Sequence, residues 1–187
     1  NETGRNWRPG DYYRGVPEAY AEQGFLTFTP DYRGHNVSEG FEFTQSSYLA
    51  SSYYAIDLLH LLAAIPALDN VDTNRVYFMG HSMGGEVGLK ALLVTDLIKA
   101  ASLWSAVSVN IPEQAIYYGK WNDSNWDSIS AASLNSYLGK SDSVVQNLGF
   151  DFNLENSHPL EFIDDLSTPV IIHHATAESS VPYRWSE

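Results

Sequence analysis

The 187-residue chain contains no cysteine, so disulfides and thiolate metal sites are excluded and the redox compartment is left undetermined. Long hydrophobic runs are also missing. No apolar stretch approaches the roughly eighteen residues that a membrane helix needs, and no signal peptide is visible. Basic residues are scarce, ten Lys and Arg against 23 Asp and Glu, for a formal net charge of −13. That balance argues against nucleic acid and against anionic membrane surfaces as partners, since both want basic patches. With 44% hydrophobic and 18% charged residues, the composition is that of a soluble globular protein long enough to bury one sizeable core. The chain opens on Asn1 rather than Met, so a cytoplasmic and an exported location both stay open.

The chain is organised around the stretch Val76-Tyr-Phe-Met-Gly-His-Ser-Met-Gly-Gly-Glu86. The apolar run 76–79 reads as a buried strand, and a helical pattern begins directly after Gly80-His81-Ser82-Met83-Gly84. Gly-x-Ser-x-Gly between a strand and a helix is the nucleophile elbow. Ser82 then sits at the tip of a turn so tight that its backbone is strained. Gly80 and Gly84 are expected to be glycine because side chains there would meet the neighbouring strand and helix. The helix N-terminus points free N–H groups and its positive dipole end at the reacting oxygen. Met83 N–H is then one donor of an oxyanion hole. A bare motif of this kind also arises by chance as a glycine-rich turn with an idle serine; the strand–turn–helix context favours Ser82 as nucleophile.

Upstream, residues 1–15 read as loop, with Pro9-Gly10 as a turn and Trp7, Tyr12 and Tyr13 close together. Residues 16–23 suggest a short helix ended by Gly24, with Val16, Tyr20 and Ala21 on one face. Residues 25–29, Phe-Leu-Thr-Phe-Thr, are β-prone and closed by Pro30, and are expected to form a strand. Directly after them comes Asp31-Tyr32-Arg33-Gly34-His35-Asn36, followed by Ser38-Glu39-Gly40.

Asp-Tyr-Arg-Gly-His, then Ser-x-Gly, then Gly-His-Ser-Met-Gly-Gly about forty residues later, resembles the α/β-hydrolase superfamily. The nearest pattern is its prolyl oligopeptidase-like group of acylaminoacyl and dipeptidyl peptidases and related esterases. Asn36 stands where that group has glycine, and asparagine also tolerates positive φ. The resemblance implies an α/β-hydrolase fold: a mostly parallel sheet flanked by helices, with an insertion after the sixth strand. An ion pair between Asp31 and Arg33 is expected to hold this loop beneath the elbow.

Residues 45–67 read as a long helix ended near Pro66, with Leu49, Tyr53, Ile56, Leu59 and Ala63 on one stripe. His60, three residues from Asp57, reads as structural. After a polar connection at 69–75 and the elbow strand, residues 86–97 continue as the elbow helix and 100–106 as another apolar strand. Strands and helices alternating at this spacing give a parallel α/β sheet. From 107 to 165 the pattern breaks down, with Trp121, Trp126, Tyr117, Tyr118 and Tyr137 among Asn, Asp and Ser. Two readings of this stretch stand equal: an aromatic lid over the serine, or a surface excursion at the sheet edge. His158 reads as a loop histidine.

Residues 168–187 supply the last organised piece, with Val170–His173 as a buried strand. The following His174-Ala-Thr-Ala-Glu-Ser-Ser-Val-Pro182 resembles the family segment His-Gly-Thr-x-Asp-x-x-Val-Pro. By that resemblance Glu178 takes the place of the triad aspartate and Ala175 that of the glycine. A glutamate can hold an imidazole tautomer as aspartate does, and Glu113 is the alternative acid. His173 and His174 are adjacent strand residues pointing to opposite faces, which argues against a metal site. In the superfamily the order is Ser, acid, His, and all six histidines (His35, His60, His81, His158, His173, His174) precede Glu178. The base and the second oxyanion donor are therefore expected outside residues 1–187, which read as part of one catalytic domain.

The expectation is a serine hydrolase that cleaves a peptide or ester bond through an acyl-enzyme on Ser82. It would use no metal or cofactor, and its partner would be a small-molecule ester or peptide substrate. A carboxylesterase of the same fold, or a non-catalytic binding protein that kept the elbow, are the alternatives.

Overall fold

The computed structural model describes residues 13–40, 50–109, 113, 114, 117, 118 and 158–187. Three strands, β1 (Val76–His81), β2 (Ile98–Trp104) and β3 (Val170–His173), form a parallel sheet in the order β1-β2-β3. The register places His81 opposite Trp104 and Trp104 opposite His173. All three carboxyl ends therefore stop at one level, and the segments that follow them share one edge of the sheet.

One face of this sheet is covered by α2 (Ala50–Ala64) and α3 (Met83–Leu92). Alternation along β1 turns Phe78 and Gly80 toward those helices, while Tyr77 and Met79 face the other way and stay exposed. The core joins Tyr54, Ala55, Leu58 and Leu62 of α2 to Val87, Ala91 and Leu92 of α3 and Ile98, Ala101 and Leu103 of β2. Val87 and Leu103 are wholly buried, each contributing roughly 1.5–3 kcal/mol of apolar burial. Helix α1 (Gly15–Glu22) buries no residue; Gly24, at φ +88°, turns the chain out of it.

The expected elements stand with several differences. Strands β1 and β3 are not buried as expected: Tyr77 and Met79, and Ile171 and Ile172, are exposed. Residues 25–29 form no strand and join no ladder among the described residues. Phe25 meets Tyr77 of β1 only ring to ring, at 6.2 Å, and a strand needs backbone partners as well as β-prone side chains. Strand β2 begins and ends two residues earlier than 100–106. Ile98 is buried and pairs with Val76, and Ser105, at φ +43°, breaks the ladder. Helix α3 stops at Leu92 rather than 97, because residues 93–97 turn, with the Leu97 N–H donating to Thr95 Oγ1 at 3.2 Å.

Helix α2 stops at Ala64 and passes into a single 3₁₀ turn, Ile65–Ala67. Its buried stripe is also rotated from the expected one. Ser51, Tyr53, Tyr54, Ala55, Leu58 and Leu62 are inside, Tyr53 as expected, and Ile56 is exposed, because the helix turns that face to α3. Finally, Arg33 does not pair with Asp31. Its guanidinium binds Asp57 of α2 with two nitrogens, Nη2 at 2.6 Å and Nε at 3.0 Å from Oδ1, and its backbone N–H donates to Oδ2 at 3.0 Å. Asp57 meets the planar fork of the guanidinium with charge-assisted hydrogen bonds. Asp31 instead accepts from Asn36 Nδ2 at 2.9 Å, with Asn36 at φ +48°. The loop at 1–12, the first part of the expected helix at 45–49, and Trp121, Trp126 and Tyr137 lie outside the described residues.

Candidate active site

Ser82 stands directly after β1 and caps α3, with φ +54° and ψ −120°. A serine held there carries about 1–3 kcal/mol of backbone strain, which persists only where the surroundings over-determine it. They do so here. The Ser82 N–H donates to Trp104 O at 2.9 Å, and Ser82 O accepts from the N–H groups of Gly85 at 2.9 Å and Val107 at 3.3 Å. The elbow is thus tied to β2 and to the turn beyond it. Its Oγ makes no hydrogen bond among the described residues.

The glycines divide differently from expectation. A Cβ on Gly80 would fall 2.5 Å from Gly84 O, so position 80 must be bare for the chain to return past it. Gly84 has nothing within 4 Å of such a Cβ. The second close approach belongs to Gly85, whose Cβ would lie 2.5 Å from that of Ala106. Helix α3 presses its first turn onto the segment after β2, so the crowded position falls one residue later.

Met83 opens α3. As a first-turn residue its N–H has no intrahelical acceptor, and no other backbone carbonyl among the described residues accepts from it. It stands at the positive end of the helix dipole beside Ser82. Beneath the same turn lies a buried polar knot that the sequence reading missed. Glu86 Oε1 accepts from Ser51 Oγ at 2.8 Å and pairs with Lys90 Nζ at 2.9 Å, and Lys90 also donates to Ser51 and Ser52. Gln114 Nε2 donates to Val109 O at 2.9 Å and reaches Glu86 at 3.4 Å. The i, i+4 spacing of Glu86 and Lys90 was the available signal.

Glu178 lies on the loop after β3, on the same sheet edge as Ser82. Two strand spacings, about 10 Å, separate the ends of β1 and β3. Glu178 Oε1 accepts the Ser180 N–H at 2.7 Å, and that hydrogen bond is the main reason its carboxyl sits below the usual range, with the nearby His174 adding to it. Glu113 is tied elsewhere, accepting from Trp185 Nε1 at 2.8 Å and Arg184 Nη2 at 3.2 Å.

Between these groups lies a second apolar cluster of Val107, Val181 and Trp185, with Tyr117 and Tyr118 packed on it. Burial, followed by the fields of Tyr117, Glu86 and Glu178, pushes the Tyr118 phenol up to about 12.

Each histidine can be placed. His35 Nε2 bonds Tyr54 OH at 2.9 Å, His81 Nδ1 bonds Tyr13 OH at 2.7 Å, and His173 stacks on Trp104 at 4.1 Å. His158 Nδ1 accepts the Leu160 N–H at 3.2 Å, and burial holds its ring below the usual imidazole range. His174 bonds Val181 O and Ser186 Oγ, and His60 is exposed on α2. None of them hydrogen-bonds to Ser82 or Glu178 among the described residues. The rings of His173 and His174 go to separate partners.

A family model described as alpha/beta hydrolase fold matches residues 8–141, more than half of the chain. The chain belongs to the alpha/beta hydrolase fold family. No curated protein matches it. Parallel strands with helices against them, and a serine turn at their carboxyl edge, are the parts of this alpha/beta hydrolase fold that the described residues contain. Among them no helix is long and apolar enough to cross a membrane.

Proposed function

We propose that this chain carries the nucleophile of a serine hydrolase that cleaves a peptide or ester bond through an acyl-enzyme on Ser82. The observation that carries the reading is the strained Ser82 backbone at φ +54°, fixed between β1 and α3. Strain of this kind persists only where the surroundings impose it and clusters at functional sites, and here it falls on the serine of an elbow motif. In this reading Met83 N–H donates to the oxyanion as the tetrahedral intermediate forms. Glu178 holds an imidazole in the tautomer that takes the Ser82 proton and later returns it to the leaving group. Its depressed carboxyl keeps it charged throughout the range in which an imidazole titrates.

The six histidines present are engaged elsewhere or stand apart from Ser82, so this reading assigns the base to none of them. The resemblance of residues 31–35 and 174–182 to the prolyl oligopeptidase-like group favours a peptidase over a carboxylesterase. The lack of a histidine on Ser82 favours a second reading, a binding protein that kept the elbow without the chemistry. A panel of p-nitrophenyl esters and aminoacyl anilides, run on the intact protein, decides among them. Anilide turnover supports the peptidase, ester turnover alone the esterase, and neither the binding protein.

A further inference from the structure

The loop that carries Glu178 has little backbone structure of its own. Within it the Glu178 N–H donates to Ala175 O at 3.0 Å, and the carboxylate folds back on the Ser180 N–H. Two side chains supply the rest. His174, the first residue after β3, reaches across the mouth of the loop to Val181 O, 2.9 Å from Nε2. A carbonyl only accepts, so Nε2 carries a proton, and Nδ1 is left to Ser186 Oγ at 2.6 Å. The edge of the ring packs on Tyr183 at 5.6 Å. From outside the loop, Tyr117 O–H donates to Ser179 O at 3.0 Å, on the residue next to Glu178. The Tyr117 ring is itself seated against Trp185 at 5.1 Å and Tyr118 at 5.3 Å.

We propose that His174 and Tyr117 are positioning residues that jointly fix the Glu178 carboxylate, His174 by closing the loop from within and Tyr117 by strapping it to the segment after β2. The inference rests on the reading of Glu178 as the triad acid. A triad works only while its hydrogen bonds hold their geometry, and misplacement by about 1 Å can cost as much as 100-fold in rate. Neither side chain touches substrate; each acts through the position of the carboxylate. Tyr117 also links the acid to the stretch that begins the insertion, so the setting of that stretch is felt at Glu178.

The test uses the intact protein with p-nitrophenyl butyrate, measuring kcat, KM, the pH dependence of kcat and the melting temperature. Tyr117→Phe removes only the O–H and is expected to lower kcat about tenfold with KM unchanged. Its acid limb should move to lower pH, because an imidazole that loses its carboxylate partner becomes less basic. His174→Ala should do the same more strongly. His174→Gln, which keeps an N–H donor for Val181 O, should recover part of the loss. Glu178→Gln separates the two levels of the argument. If it leaves kcat intact, or if wild type turns over neither this ester nor an aminoacyl anilide, the acid reading fails and this inference with it. If Glu178→Gln is crippled while Tyr117→Phe and His174→Ala keep the wild-type kcat and acid limb, only the positioning roles are overturned. The same holds if their activity falls merely in step with melting temperature and the acid limb stays in place.

Discussion

Gly85 and Ala106 are so close that a methyl group on the glycine would lie 2.5 Å from the alanine Cβ. This contact brings the first turn of α3 against the segment that follows β2, and so sets where the Met83 N–H points. Gly85→Ala is expected to destabilise the protein by about 1–3 kcal/mol through overpacking and to slow acylation of Ser82. Gly84→Ala meets open space. With a residue of better helix propensity it should be neutral or stabilising by up to about 1 kcal/mol. Denaturant unfolding of the two variants checks the contrast. Equal losses at both positions would mean that the motif glycine is as crowded as its neighbour, and a larger loss at Gly84 that it is the crowded one.

The elbow was legible because its signal is local: an apolar strand, a turn with small residues and a helical pattern in one unbroken stretch. The strand Val170–His173 and the loop that bears Glu178 were legible for the same reason. What was not legible came from distant pairing. Arg33 has an acidic neighbour in sequence at Asp31, yet its planar fork finds Asp57 across a loop on α2. The stripe on α2 was read correctly at Tyr53 and misplaced at Ile56 and Ala63, which fit helical periodicity as well as Tyr54, Leu58 and Leu62 do. Only the position of α3 chooses between them. Residues 25–29 have the side chains of a strand, but a ladder depends on partners that no local pattern encodes.

The Arg33–Asp57 pair gives the fold a testable acid dependence. Burial works to raise the Asp57 carboxyl, but hydrogen bonds from the Arg33 side chain and backbone outweigh it and hold the group below the usual range. A carboxyl depressed in the folded state contributes stability above the pKa of the unfolded chain and loses it as pH falls through the folded value. The loss therefore belongs below about pH 4. Asp57→Asn should cost roughly 1–2 kcal/mol at neutral pH, since hydrogen bonds to a charged group are lost. It should also flatten the stability profile in the acid range. Thermal melts of both proteins between pH 3 and pH 7 provide the comparison; an unchanged slope in the variant would count against the pair.

Ser82 contributes no side-chain hydrogen bond among the described residues, so Ser82→Ala should leave the melting temperature within a degree or two. The same change should abolish covalent labelling of the intact protein by a fluorophosphonate probe. Labelling that persists would direct attention to another nucleophile. A large fall in melting temperature would show that the hydroxyl serves packing after all.

The sharpest consequence of the histidine arrangement concerns residues 1–187 expressed as they stand. His35 and His81 are bonded to tyrosines, His173 is stacked on Trp104, His174 is bonded at both nitrogens and His158 caps a turn. His60 lies exposed on α2. A serine without a histidine base works several orders of magnitude more slowly, with only what oxyanion donors and binding supply. This polypeptide should therefore turn over a short-chain p-nitrophenyl ester no faster than its own Ser82→Ala variant. Tyr77, Met79 and Ile171 are exposed on the sheet, and Phe25 and Leu26 beside it. Apolar surface of this kind favours association, so the same sample should bind an anilinonaphthalene dye and sediment with copies of itself. Turnover dependent on Ser82 would make one of the six histidines the base, and alanine replacement of each in turn would identify it.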